Sequence, residues 1–241
     1  MRSQRSALQG VFRMRNVAIK LLLVNIGVFI LQGLLGRDFT LNLALVGQDV
    51  LTRPWILFTS MFLHAGFTHL LFNMYALFLF GTLIERRIGS KRFLWAYLVS
   101  GVVASVIFTL ANPSGLAVGA SGAIMAVLGL VIMLMPDLKV LFFFVIPMSM
   151  RTAGVIFALI DLVGFVYGGT GIAHAAHLGG LACGLAFGYY LKRKGRSFKK
   201  GFQDQGRRFR EPKRRSPYYD DERTIELSQD DIDQYYKYGR L

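Results

Sequence analysis

Apolar runs separated by short charged or glycine-containing stretches fill the chain from Val17 to Leu191. A helix that crosses a bilayer needs about 20 mostly apolar residues, because the hydrocarbon offers the backbone no hydrogen-bond partner but itself. The runs predict six such helices, over residues 17–35, 67–84, 93–111, 119–134, 152–167 and 173–191. Residues 36–66 form a long connection that mixes Trp55 and many apolar residues with Arg37, Asp38, Asp49, Arg53 and Pro54. Such a mixture is expected in the membrane interface rather than in water. Residues 140–147 are apolar but too few to span, and are expected to form a loop or an extended edge segment.

Charge divides the chain. Its 241 residues are 54% hydrophobic yet carry a net charge of +14, a combination rare in a soluble domain. Only Asp38, Asp49, Glu85, Asp137 and Asp161 precede residue 192, whereas the last fifty residues hold nine acids and fifteen of the 28 basic residues. Three regions follow: a basic segment 1–16, a membrane domain 17–192, and a tail 193–241 that is basic, then acidic and tyrosine-rich, and expected to be largely disordered. Cytoplasmic loops carry the excess of Lys and Arg. With the N-terminus inside, the inner segments hold Arg2, Arg5, Arg13, Arg15, then Arg86, Arg87, Lys91, Arg92, then Lys139 and Arg151, then the tail, while the outer connections hold only Arg37 and Arg53. An even number of spans with both termini cytoplasmic fits this distribution. The twelve basic residues between Lys192 and Arg215 suit an anchor at an anionic inner leaflet, and no nucleic-acid partner is expected. The one cysteine, Cys183, excludes an intrachain disulfide.

Polar side chains inside a membrane are costly, so each is a functional candidate weighed against simple helix-to-helix bonding. The candidates are His64, His69 and Asn73 near the start of the second span, Ser121 at the start of the fourth, Asp161 in the fifth, and His174 and His177 at the start of the sixth. Spans two, four and six run from outside to inside in the topology above, so His, Asn, Ser and His share one shallow level. Serine becomes a useful nucleophile only when a base takes its proton, and histidine titrates near working pH. Backbone amides at a helix start and an Asn amide can stabilise an oxyanion. Asp161, counted as mid-span, is expected to lie too deep to meet His177. His174 and His177 have the i, i+3 spacing of a metal pair, but no Cys or Glu accompanies them and no required metal is expected.

Three stretches stand out: residues 55–89, with His69-x-x-x-Asn73 and the closing Glu85-Arg86; Gly119-Ala120-Ser121-Gly122; and Ala176-His177-x-x-Gly180-x-x-x-Gly184. Together they resemble, in that order, the second-helix region, the nucleophile motif and the sixth-helix signature of the rhomboid family of intramembrane serine proteases. The resemblance covers the whole predicted core in the family's order. It implies an all-α six-helix bundle in which Ser121 is the nucleophile and His177 the base of a dyad, with His69, Asn73 and the Ser121 backbone N–H holding the oxyanion. Gly119, Gly122 and Gly180 would provide close packing, with Gly180 and Gly184 setting the sixth helix against the fourth. His64 is expected to be a hydrogen-bonding structural residue near the substrate entrance. Met125 departs from the family, some members of which place an aromatic ring there against the base. The implied substrates are transmembrane segments with small residues at the cut and an easily unwound helix, and no cofactor is implied. A prokaryotic cell membrane is the expected location. The alternative is a silent rhomboid-like binding or chaperone protein, but such relatives usually lack the serine or the histidine.

Overall fold

The computed structural model describes residues 16–142, 145–168 and 173–208. The basic residues 1–15, the connection near Gly169 and the tail from 209 onward, on all of which the sequence carries expectations, lie outside the described residues. Among the described residues, those up to Arg196 belong to one compact unit. The fold is mostly helical: α1 (Val17–Leu43), α2 (Phe67–Ile88), α3 (Ser90–Ala111), α4 (Ser121–Leu134), α5 (Met150–Tyr167) and α6 (His174–Arg208). Four of these, α1, α2, α3 and α5, are long and apolar enough to cross a membrane. Their exposed faces carry large hydrophobic residues, such as Leu34 on α1, Trp95 on α3 and Val166 on α5. Continuous apolar surface of this kind is rare on soluble monomers and marks a surface that faces lipid.

The core is built around α4. Every residue from Gly122 to Val131 is buried, as expected of a helix that is apolar on all sides. With 14 residues, α4 rises only about 21 Å, against roughly 30 Å of hydrocarbon. Its N-terminal end is reached by non-helical backbone that is buried at Ala120, and buried backbone groups must be bonded within the protein. That requirement is met. β1 (Leu45–Val46) pairs antiparallel with β2 (Leu116–Ala117), Gly47 N–H donates to Gly115 O, and Gly119 N–H donates to Ser60 O at 2.9 Å. A side chain at Gly47 would strike the Pro113 carbonyl at 2.3 Å, so only glycine allows this approach.

Three helix ends differ from the sequence expectation by more than a few residues. The first helix resumes after a break at Gly36 (φ 78°) and runs to Leu43, so the long connection begins later. Gln32 spans that break, donating to Thr40 Oγ1 and to the His64 carbonyl while accepting from His64 N–H at 2.9 Å. The second helix continues past Ile84 to Ile88 through a wide turn at Leu77–Gly81. Glu85 there caps α1, its two oxygens accepting from Val17 N–H and Ala18 N–H at 2.9 and 2.8 Å. The last helix passes Leu191 and continues to Arg208, because Lys and Arg are good helix formers and no proline interrupts them. The short apolar stretch before α5 is extended, as β3 (Lys139–Phe142) paired with β4 (Ile146–Ser149).

Candidate active site

Glycines set the distance between α4 and α6. A Cβ on Gly180 would lie 2.0 Å from the Gly122 carbonyl oxygen, and one on Gly184 would lie 2.0 Å from that of Ala126. From the α4 side, a Cβ on Gly129 would meet the Leu181 carbonyl at 2.7 Å. The two backbones are thus in contact over about two turns of α4. At the N-terminal end of that contact, Ser121 begins α4 and His177 lies in the first turn of α6, with Ser121 Oγ and His177 Nε2 2.7 Å apart. The Ser121 N–H belongs to the first turn of α4, where backbone amides have no intrahelical acceptor.

His69 reaches the same place from α2. Its ring lies over Gly119, where a side chain would meet the imidazole at 2.8 Å and where φ is +133°. Glycine is required there on both counts. His69 and His64 pack edge to face, with ring centroids 5.1 Å apart. Asn73, one turn along α2 from His69, is buried and its Nδ2 has no hydrogen-bond partner. Buried polar atoms are nearly always satisfied, so such a donor points to a partner supplied by something else. His64 is buried with both ring nitrogens unbonded, and its pKa is lowered to about 4, first by burial and then by the neighbouring His69. Met125 is buried in the main core cluster. A cavity of about 30 Å³ beside Ser121, lined also by Ser60, Gly101, Gly119 and Ala176, has room for water.

Asp161 corrects the sequence reading. Its Oδ1 accepts from His177 Nδ1 at 2.9 Å and from His174 Nδ1 at 2.7 Å. α5 ends at Tyr167, as expected, with Asp161 about 9 Å below that end; the expectation failed because His177 is itself about one turn inside α6, close enough in depth for its ring to meet the carboxylate. A side chain at Gly164 would strike the His174 ring at 2.2 Å, so Gly164 makes the space that His174 fills. The donor atoms of Asp161, His174 and His177 lie within 4.8 Å of one another, a grouping that could gather on a metal ion. As they stand, both Nδ1 atoms address one carboxylate oxygen, the arrangement of a hydrogen-bonded trio. The sequence pairing of His174 with His177 had found two members. The third comes from another helix, with no local signal.

Residues 51–194, more than half of the chain, match the family described as Rhomboid domain. The chain is 30% identical over 202 residues to RHOMBOID-like protein 12, mitochondrial, of Arabidopsis thaliana, covering 76% of this chain and 60% of that one. It is 37% identical over 133 residues to Rhomboid protease GluP of Bacillus subtilis, covering 54% and 25%. With the human Presenilin-associated rhomboid-like protein, mitochondrial, it shares 35% identity over 168 residues, 66% of this chain and 42% of that protein. The chain thus spans from a quarter to three-fifths of the length of these relatives. Helices long and apolar enough to cross a membrane, together with a family match over residues that include both Ser121 and His177, identify the chain as a multi-pass membrane protein that belongs to the rhomboid family.

Proposed function

We propose that this chain is an intramembrane serine protease, with Ser121 as nucleophile and His177 as general base, that cuts transmembrane segments of other membrane proteins near the outer face. The observation that most supports this is the 2.7 Å approach of Ser121 Oγ to His177 Nε2 at a glycine-built helix contact. In the reaction, Oγ attacks the scissile carbonyl carbon while its proton passes to His177 Nε2. The oxyanion that forms is held by the N–H groups at the start of α4, by the unpartnered Asn73 amide and by His69. The proton then goes to the leaving amine as the C–N bond breaks, and water, entering from outside, hydrolyses the acyl-enzyme with the same histidine as base.

In this reading six helices span the bilayer with both termini on the cytoplasmic side, and the basic tail lies against an anionic leaflet. The substrate enters sideways past the region of His64, and segments with small residues and weak helices are preferred. The membrane is that of a prokaryotic cell. The names of the relatives divide between mitochondrial proteins and proteins of Bacillus subtilis, and fractionation of the native cells tests that part directly.

The function is tested by reconstituting the purified protein with a labelled transmembrane substrate. The wild type is expected to release a shortened product and Ser121→Ala none. Binding of the substrate without cleavage by the wild type would instead support a silent chaperone.

A further inference from the structure

We propose that Asp161 is a positioning residue that holds His177 for its work as base, with His174 as the second donor fixing the carboxylate. This inference rests on the protease reading above. A carboxylate on a lipid-facing helix is expensive, and the neighbours of Asp161 on α5, Ile160 and Leu162, are exposed apolar residues. Asp161 itself is 5% exposed and turned inward. Two imidazole N–H groups converge on its Oδ1, at 2.7 and 2.9 Å. A ring whose Nδ1 donates to a carboxylate carries its proton there and leaves Nε2 as an acceptor, and it is Nε2 that faces Ser121 Oγ. When His177 takes the serine proton and becomes cationic, the carboxylate stabilises it without accepting the proton, which passes on to the leaving amine.

His174 has a distinct task. Its Nδ1 reaches the same oxygen as His177 does, and Gly164, one turn above Asp161 on α5, leaves the room its ring occupies. With two donors the carboxylate cannot swing away when His177 changes charge. The groups facing His177 are Ser121 from α4, Asp161 from α5, His69 from α2 and His174 on its own helix, while Ala104 and Ile107, which α3 packs against this end of α4 and α6, are uncharged. Asp161 is thus the anion available to the imidazolium among these groups.

A purely structural tie between α5 and α6 would tolerate Asp161→Asn, because an amide oxygen still accepts from Nδ1–H. A positioning carboxylate would not. In Asp161→Asn, kcat on a transmembrane substrate is expected to fall by roughly 10²- to 10⁴-fold with KM little changed. The acid limb of the kcat/KM profile should also move to lower pH, since the imidazolium has lost its counter-charge. Wild-type kcat and an unmoved pH profile in that variant would overturn the proposal. A measurement on the wild type serves if the variant does not fold: histidine ¹⁵N NMR near neutral pH should show His177 Nδ1 bearing the proton, and a bare Nδ1 would overturn the proposal equally. Activity lost in EDTA and restored by zinc would make the trio a metal site and would also sink it. Failure of the protease reading looks different, since it would appear as no cleavage by the wild type, and failure of its nucleophile assignment as undiminished cleavage by Ser121→Ala.

Discussion

The distance between Ser121 and His177 is decided by residues that carry no chemistry. Gly119, Gly122 and Gly180 allow close approach of backbones and of the His69 ring, and the reactive atoms follow. His177→Ala should therefore lose cleavage by several orders of magnitude, because general-base help is worth about 10² to 10⁴ and the pair acts as a unit. Asn73→Ala removes one of several donors and should cost less, at most roughly 10² to 10³. Paired kinetics on the two variants check the order, and a dead Asn73→Ala beside an active His177→Ala would reverse the assignments. His64 makes a pH prediction. Its folded pKa of about 4 lies below the unfolded 6.5, so the folded state binds fewer protons between those values. The contribution is present above pH 6.5 and lost as pH falls towards 4, amounting to no more than about 3 kcal/mol. Thermal midpoints in detergent should fall over that window in the wild type and fall less in His64→Gln. Ser121, His177, His69 and Asn73 were legible as polar residues in apolar runs. Asp161 was visible too, but its partners depend on how α5 faces α6, which a one-dimensional count of depth does not contain.

Helix contacts turn these side chains into a site. Gly180→Ala would put a methyl group 2.0 Å from the Gly122 carbonyl, and the backbone cannot yield as a flexible side chain would. We expect α6 to move off α4, with a loss of about 1–3 kcal/mol in stability and a larger loss of activity. Unchanged activity in Gly180→Ala would contradict the glycine contact as the device that sets the site. Glu85 makes a second prediction, this time on stability alone. Its carboxylate bonds the first amides of α1 across 67 residues of sequence, and Glu85→Ala should cost about 1–2 kcal/mol, read as a lower unfolding midpoint. The spans themselves were readable from apolar runs, since a bilayer fixes both length and composition. The Glu85 cap and the resumption of α1 after Gly36 were not, because one is a long-range bond and the other extends a helix past its apolar stretch.

For the molecule as a whole, the shortness of α4 has the largest consequence. A helix of 14 residues, buried from Gly122 to Val131, is shorter than the hydrocarbon layer, and in the proposed topology its N-terminal end with Ser121 starts below the membrane surface. The proposed orientation predicts that, in a Cys183→Ser background, Pro113→Cys reacts with an impermeant thiol reagent from outside and Lys91→Cys only after permeabilisation. The reverse pattern would remove the argument that α2, α4 and α6 all begin at the outer face. The central claim, that Ser121 is a nucleophile activated by His177, is tested most directly by a fluorophosphonate probe with the adduct located by mass spectrometry. We predict one modified residue, Ser121, and no adduct in His177→Ala. An unmodified Ser121 in a preparation that cleaves its substrate would contradict the account.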